Sequence, residues 1–192
     1  VRNLKSIVLQ PRFLQAITAA AFAYAVMSFL MTATPLSMHV MENMSLKETG
    51  LVLQFHVVAM FLPSLITGNL IKKYGHSAII YGGVLFFFIT VLLSLFEQTY
   101  LNYMLSLIFL GLGWNFLFIS GTSLVVLTYN KEEKFKVQGI NDLIVFSTMA
   151  LASLSAGILL NSIGWKMMNI ICIPFLILII LVSFVADKKS VS

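Results

Sequence analysis

Seven polar side chains lie inside long apolar stretches of this sequence, where each of them needs a hydrogen-bonding partner. They are Tyr24, Gln54, His56, Asn115, Thr122, Asn141 and Asp142. Hydroxyl and amide groups at such positions can bind a polar solute, and His56 and Asp142 can also exchange a proton. We therefore take these seven residues as candidates for binding a small molecule or moving a proton.

Three of these candidates have a structural explanation that competes with the functional one. Asp142 either couples proton movement or gates a pathway, or it is a helix-start carboxylate stabilised by the helix dipole and Lys136. His56 either protonates or contacts a solute, or it forms a hydrogen bond between helices. Asn115 either contacts a solute or locks a neighbouring helix. The sequence leaves each pair of alternatives open.

The motifs of common enzyme classes are missing from the sequence. Cys172 is the single cysteine, so neither a disulfide framework nor a thiolate metal site can form. Neither H-E-x-x-H nor G-x-x-x-x-G-K-[ST] occurs. Gly121-Thr122-Ser123 is of the G-x-S type found in membrane-embedded serine proteases, but the sixth apolar run has no histidine to act as base. We predict no enzyme activity, no metal and no cofactor, and keep an intramembrane serine protease as an unfavoured alternative.

The composition indicates that the polar residues are carried on membrane-spanning helices. Of 192 residues, 59% are hydrophobic and 10% are charged, whereas soluble domains have about 25% charged residues. The apolar residues form runs of about 20, the length at which a helix crosses a bilayer. We predict an all-α integral membrane protein with six transmembrane helices. The predicted spans are 13–38, 49–71, 77–97, 101–128, 138–161 and 165–186.

The positive charges predict the direction of these spans. The net charge is +5, and the basic residues lie in the connectors between apolar runs, which argues against nucleic-acid binding. One side of the six-span topology holds Arg2, Lys5, Arg12, Lys72, Lys73, Lys131, Lys134, Lys136, Lys188 and Lys189. The other side holds Lys47 and Lys166. By the positive-inside rule, the first side and both terminal segments, 1–12 and 187–192, are predicted to be cytoplasmic.

Two segments 89 residues apart share a glycine spacing. GNLIKKYG ends the second span with Gly68 and Gly75, and GILLNSIG ends the fifth with Gly157 and Gly164. Three spans separate them, so they would end on opposite sides of the membrane, as an inverted 3+3 repeat requires. The third and sixth spans also correspond, because both lack a deep ionisable group and look lipid-facing.

The second connector resembles the loop signature G-x-L-x-D-R-x-G-R-K of the major facilitator superfamily. Gly68, Leu70, Lys73 and Gly75 occupy matching positions, and Lys72 replaces the acidic residue. LVLQFHVVAMFLPSLITG, LGLGWNFLFISGTSLV and VQGINDLIVFSTMALASLSAG are similar to the eighth, tenth and eleventh helices of bacterial permeases in this family. The whole chain therefore resembles the C-terminal six-helix half of such a transporter.

The resemblance implies secondary active transport of a small solute by alternating access, with proton coupling as one option. It also implies a second six-helix half that precedes residue 1, a multi-pass location in the bacterial plasma membrane, and a cavity lined by the first and fourth spans, which carry Tyr24 and Trp114. We expect the chain to be a fragment, with segment 1–12 leading from the missing half. The alternatives are a half-length product that pairs with another chain and a non-transporting membrane subunit.

Overall fold

The computed structural model describes residues 2–191, and these residues are almost entirely helical. The elements, with helices numbered in chain order, are α1 (Leu4–Val8), α2 (Pro11–Pro35) with a π-helical turn (Leu36–Met41), α3 (Leu46–Phe61), α4 (Ser64–Tyr74), α5 (His76–Ser94), α6 (Tyr100–Val126), a 3₁₀ turn (Lys131–Glu133) and α7 (Lys134–Val191). No strand occurs among residues 2–191. Helices satisfy their own backbone hydrogen bonds, which a bilayer demands of any segment that crosses it.

Several of these helices are long and apolar enough to span a membrane. Pro11–Met41, His76–Ser94, Tyr100–Val126 and Lys131–Lys189 qualify singly, and α3 and α4 qualify together as a pair bent by 40°. The prediction of an all-α fold is therefore confirmed, and the length and composition of these helices fit an integral membrane protein. The last helix is broken at Gly164, where the backbone is not helical (φ 75°, ψ 170°). We call its two parts α7a (134–163) and α7b (165–191).

Local sequence explains where the main helices begin and bend. Pro11 starts α2, a position where its missing N–H costs nothing. Ser45 and Glu48 form a reciprocal capping box at α3. The predicted second span, 49–71, is divided between α3 and α4 because Pro63 has no N–H to donate to the preceding turn.

Helix α6 stands at the centre of the bundle, and three of its glycines allow other helices to approach closely. A Cβ on Gly111 would lie 2.6 Å from the His56 carbonyl oxygen of α3, and one on Gly121 would lie 2.7 Å from the Ala16 carbonyl oxygen of α2. A Cβ on Gly113 would collide with Phe87 of α5. Small residues at helix interfaces are how membrane helices pack without a hydrophobic driving force. Helices α3, α5 and α2 thus surround α6.

Both terminal regions lie at the same end of the bundle. Arg12, at the start of α2, contacts Ser77 of α5 and Asp187 of α7b. Arg2 contacts Glu133, just before α7. The ten basic residues counted above on one side all flank helix ends at this end, which we call the basic end. At the opposite end, the Tyr103 ring packs on Trp165, and the Tyr103 hydroxyl is 2.6 Å from Ser37 Oγ.

Candidate functional site

Five aromatic side chains from four helices touch one another in a chain of ring contacts. Phe61 of α3 packs edge to face on Trp114 of α6, with ring centroids 5.6 Å apart. Tyr24 of α2 packs edge to face on Trp114 at 5.2 Å and on Phe118 at 4.8 Å. Tyr24 also contacts Phe146 of α7a at 5.9 Å. We call Phe61, Trp114, Phe118, Tyr24 and Phe146 the aromatic row.

The row runs along a face on which α2 and α6 lie between α3 and α7a. Trp114 and Phe118 are stacked at 4.9 Å with their planes 14° apart. Exposure rises toward the flanks: Trp114 is 3% exposed, while Phe146 is 49% and Phe61 58% exposed. Tyr24 and Phe118 are half-buried. The row is therefore accessible at its two ends and anchored in the protein at its centre.

The indole N–H of Trp114 is buried without a hydrogen-bond acceptor among the described residues. The indole nitrogen can only donate a hydrogen bond, and its hydrogen is fixed in the plane of the ring, so it cannot turn toward another acceptor. Buried polar groups are nearly always paired, and an exception needs an explanation. The unused donor lies within the aromatic row.

Asn115, the next residue along α6, uses its amide to hold the break between α3 and α4. Its Nδ2 donates to the Met60 carbonyl oxygen and to Ser64 Oγ, both at 2.7 Å. Its Oδ1 accepts a hydrogen bond from Thr67 Oγ1 at 2.6 Å. In an unbroken helix the Met60 carbonyl oxygen would accept a hydrogen bond from the N–H of residue 64, but the break between α3 and α4 lies between these two residues. In this conformation the amide donors of Asn115 are both committed to the neighbouring helices.

His56 is likewise turned into the helix packing. Its imidazole is fully buried, and Nδ1 lies 2.7 Å from the Leu107 carbonyl oxygen of α6. Because a carbonyl can only accept, Nδ1 carries the hydrogen, and Nε2 has no partner among the described residues. The side chain ties α3 to α6 beside Gly111.

Asp142 and Asn141 lie on different sides of α7a. Asp142 is exposed, whereas Asn141 is 3% exposed and donates to Asp142 Oδ1 at 3.1 Å. At 100° per residue, Asp142 is about 40° from Phe146 around the helix and about one turn nearer the basic end. The carboxylate therefore lies on the same face as the aromatic row.

The other predicted residues are spread over the bundle. Tyr24 lies in the row, Gln54 is exposed on α3, and Thr122 donates to the Phe118 carbonyl oxygen of its own helix at 2.8 Å. Of the seven candidates, Tyr24 and Asp142 share the face of the row, and His56 and Asn115 lie between α3 and α6.

The loop motif occupies the tight connection between α4 and α5. Gly68 is exposed, Leu70 is half-buried, and Lys73 Nζ lies 5.0 Å from the centre of the Tyr74 ring. Gly75 alone separates the two helices, with φ 85° and ψ 162°. This left-handed φ disfavours any residue with a Cβ.

Two ionic clusters that the sequence did not single out join helices at the basic end. Arg12 Nη1 lies 2.9 Å from Asp187 Oδ1 and 2.7 Å from Gln15 Oε1, and Ser77 Oγ donates to Asp187 Oδ1 at 2.6 Å. The cluster links α2, α5 and α7b. Such partners become visible only in three dimensions, since Arg12 and Asp187 are at opposite ends of the chain.

The second cluster joins the N-terminal segment to the connector before α7. Arg2 donates to both carboxylate oxygens of Glu133, at 2.6 Å from Nη2 and 3.1 Å from Nε. Glu133 also accepts from the backbone N–H of Asn130 at 2.9 Å. The Arg2 hydrogen bonds and then the backbone N–H groups lower the pKa of Glu133 to about 2 from its ordinary 4.5.

At the basic end, the structure brings the side chains of His76 and Ser123 together. His76 Nε2 lies 3.0 Å from Ser123 Oγ, and Ser123 donates to the Ser120 carbonyl oxygen. The Ser123 hydroxyl therefore has two neighbours within hydrogen-bonding distance, the His76 ring nitrogen and a carbonyl oxygen of its own helix. No group of three or more His, Cys, Asp and Glu residues suited to a metal ion occurs among the described residues.

A cavity of about 470 Å³ lies between α2, α7a and α7b, away from the row. Its α2 residues Phe22, Ala25, Val26 and Phe29 centre about 150° around the helix from Tyr24. The lining is almost wholly apolar, with Thr148 and Ser155 as its hydroxyl residues. It lacks the convergent polar groups expected of a solute site.

The chain matches the model of a protein family and is similar to three known proteins. The model of the Major Facilitator Superfamily matches residues 16–192. The chain is 39% identical over 179 residues to the riboflavin transporter RfnT of Brucella anthropi, covering 93% of the chain and 45% of that protein.

Two Bacillus subtilis proteins are also similar to it, the uncharacterized MFS-type transporters YdeG and YddS, each 30% identical. They match 80% and 77% of the chain and 36% and 34% of their own lengths. The chain thus spans less than half the length of the relatives it matches.

Proposed function

The chain belongs to the major facilitator superfamily, a family of transporters rather than enzymes, and on this premise we propose that it forms one six-helix half of a secondary transporter. The observation that carries the proposal is the face bearing the aromatic row. It presents α2 and α6 with α3 and α7a on either side, which makes one wall of a central pathway. The opposite wall would come from a second six-helix bundle, and the two would rock against each other in alternating access.

Two glycines support the inverted 3+3 arrangement within this half. Gly75 and Gly164, 89 residues apart, adopt nearly the same backbone conformation, with φ of 85° and 75° and ψ of 162° and 170°. Gly75 lies between α4 and α5, and Gly164 lies between α7a and α7b. In each case the first helix belongs to a span on the row's face and the second lies behind it. With the break at Gly164 dividing the last helix and α3 and α4 taken as one bent span, the described residues would form the six spans that the proposal requires.

The charges support one orientation in the membrane. All ten basic residues of the basic end would face the cytoplasm, with Lys47 and Lys166 at the other end, as the positive-inside rule requires. Both ends of this chain would then be cytoplasmic, and the protein would reside in the bacterial plasma membrane.

The relative from Brucella anthropi suggests the substrate. That protein is named as a riboflavin transporter, and 93% of the present chain matches it. We therefore propose that the protein carrying this chain transports riboflavin or a closely related flavin.

The test is uptake of radiolabelled riboflavin by proteoliposomes containing the complete protein. Uptake above that of empty liposomes, saturable and inhibited by unlabelled riboflavin, is expected. Equal uptake with and without the protein would contradict the proposed substrate.

Proton coupling is the part of the proposal that rests on Asp142. This exposed carboxylate shares the row's face near the basic end, where it can exchange protons with the pathway. His56 is the second candidate, although its burial leaves it no contact with water in this conformation.

Coupling predicts that an imposed pH gradient drives uptake and that Asp142→Asn removes this dependence. His56→Gln tests the second candidate, and Glu132→Gln serves as the exposed carboxylate control. Uptake that ignores the gradient in the unaltered protein and in all three variants would overturn proton coupling.

A further inference from the structure

We infer that the aromatic row is the surface on which the ring system of the substrate stacks, while the polar part of the substrate is held by the opposite half. This inference rests on the proposed function and deepens it by assigning a binding surface. Three observations support it: the position of the row along the helices, the contacts between its rings, and the unpaired indole N–H of Trp114.

The row lies at mid-height of the helix bundle. Tyr24 is near the midpoint of α2 (Pro11–Pro35), Trp114 near that of α6 (Tyr100–Val126), and Phe146 near that of α7a (134–163). Phe61 lies at the break in the middle of the bent α3–α4 pair. Four helices thus bring aromatic residues to one level, the level at which transporters bind their substrates.

The chemistry of the row suits a flat aromatic ligand. Trp114 and Phe118 are stacked with each other, and Tyr24 and Phe61 meet Trp114 edge to face. Offset stacking and edge contacts are the preferred geometries between aromatic rings, so an added ring can extend the same arrangement. The exposed flanks, Phe61 and Phe146, are the side chains that can rotate to admit it.

The unpaired indole N–H offers a bound ring a hydrogen-bond donor. Trp114 Nε1 is buried without an acceptor among the described residues. A heteroaromatic ring with a carbonyl at its edge, such as the isoalloxazine ring of a flavin, carries the needed acceptor. For a ring to reach this buried donor, a side chain packed on Trp114, such as Phe61, would have to rotate away.

Two polar residues beside Trp114 and Phe118 are already engaged and offer little to a polyhydroxyl chain. The amide of Asn115 is committed to Met60, Ser64 and Thr67, and Thr122 is bonded to its own helix. A ribityl chain has several hydroxyls, each of which loses water on binding and needs a new partner. The ring therefore lies on this half and the chain points to the other.

The experiment combines competition with variants of the row. Riboflavin uptake by the complete protein is measured in the presence of lumiflavin, which has the ring without the ribityl chain, or of ribitol, which has the chain without the ring. The variant Phe118→Leu removes a ring from the row. Its control is Phe116→Leu, two residues away, whose ring packs on Phe86 of α5 at 5.3 Å.

We expect lumiflavin to compete and ribitol not to. The KM for riboflavin should rise about tenfold or more in Phe118→Leu, the scale of a lost stacking contact, and stay within about twofold in Phe116→Leu. Trp114→Phe, which keeps a ring but removes the donor, should weaken inhibition by lumiflavin.

Two different failures can be distinguished. Riboflavin uptake that is inhibited by ribitol but not by lumiflavin, or that changes equally in the two phenylalanine variants, would overturn the assignment of the row and leave the transport proposal standing. No riboflavin uptake by the unaltered protein would overturn the proposed substrate and this inference with it.

Discussion

Asn115 illustrates how single polar residues are used in this bundle. A helix broken by proline leaves carbonyl groups without their regular donors, and in an apolar environment each of these is costly. Asn115 supplies a donor to Met60 from a neighbouring helix and at the same time engages Ser64 and Thr67. One amide thereby fixes the bend of the span next to the aromatic row.

Replacing Asn115 by alanine is predicted to destabilise the protein rather than to weaken solute binding directly. The change removes the donor to the carbonyl oxygen of buried Met60 and the contacts to Ser64 and Thr67, at about 1–3 kcal/mol. The measurement is the thermal unfolding midpoint in detergent. The control is Asn102→Ala on the same helix, a half-buried residue whose amide makes a solvent-exposed hydrogen bond to the Glu97 carbonyl oxygen. An unchanged midpoint together with a much higher KM would show instead that Asn115 contacts the solute.

The Arg2–Glu133 pair predicts a pH-dependent stability. The native-state pKa of Glu133 is about 2, below its ordinary 4.5, so the pair stabilises the fold fully above pH 4.5 and progressively less as the pH falls toward 2. The stability difference between the unaltered protein and Glu133→Gln should therefore be largest near neutral pH and shrink below pH 4.5. Glu132→Gln, at the exposed neighbour, is the control, and a difference that is independent of pH would contradict the assignment.

At the scale of the helices, much of the architecture could be predicted from sequence because it depends on local patterns. Apolar runs predict the membrane helices, and Pro63, Gly75 and Gly164 predict interruptions, since each restricts or frees the backbone in a known way. The shared glycine spacing singled out Gly75 and Gly164, but their nearly identical backbone conformation is seen only in the structure.

The candidate site was less predictable, because it depends on contacts between distant helices. Tyr24 and Trp114 could be proposed as pathway residues, but Phe61, Phe118 and Phe146 are three of 16 phenylalanines with no distinguishing local pattern. The roles of Asn115 and His56 likewise depend on which carbonyl groups lie opposite them. These contacts depend on how neighbouring helices are rotated and shifted relative to each other, which a single sequence does not reveal.

The close approach of α3 and α6 predicts opposite effects of two glycine substitutions. Gly111→Ala places a methyl group against the α3 backbone and should destabilise the protein by about 1–3 kcal/mol, as overpacking does. Gly139→Ala meets no atom within 4 Å and should be neutral or slightly stabilising, because alanine favours a helix. Unfolding midpoints of the two variants test this, and equal shifts would mean that α3 and α6 are not in contact at Gly111.

At the scale of the whole molecule, the bundle has two unlike sides. One side carries the aromatic row and Asp142, and the other carries the largely apolar helices α5 and α7b. Leu85, in the middle of α5 and 59% exposed, faces outward at about the level of Tyr24. If the row lines a pathway, water must reach Tyr24 during transport, whereas Leu85 must stay in lipid.

Reactivity of a cysteine placed at Tyr24 tests alternating access at the row most directly. In the complete protein without other reactive cysteines, Tyr24→Cys should react with a membrane-impermeant thiol reagent added from either side of the membrane, and riboflavin should slow the reaction. The control, Leu85→Cys, should react from neither side. A cysteine at residue 24 that is equally inert from both sides would contradict the account, because the aromatic row would then be buried packing rather than the wall of a pathway.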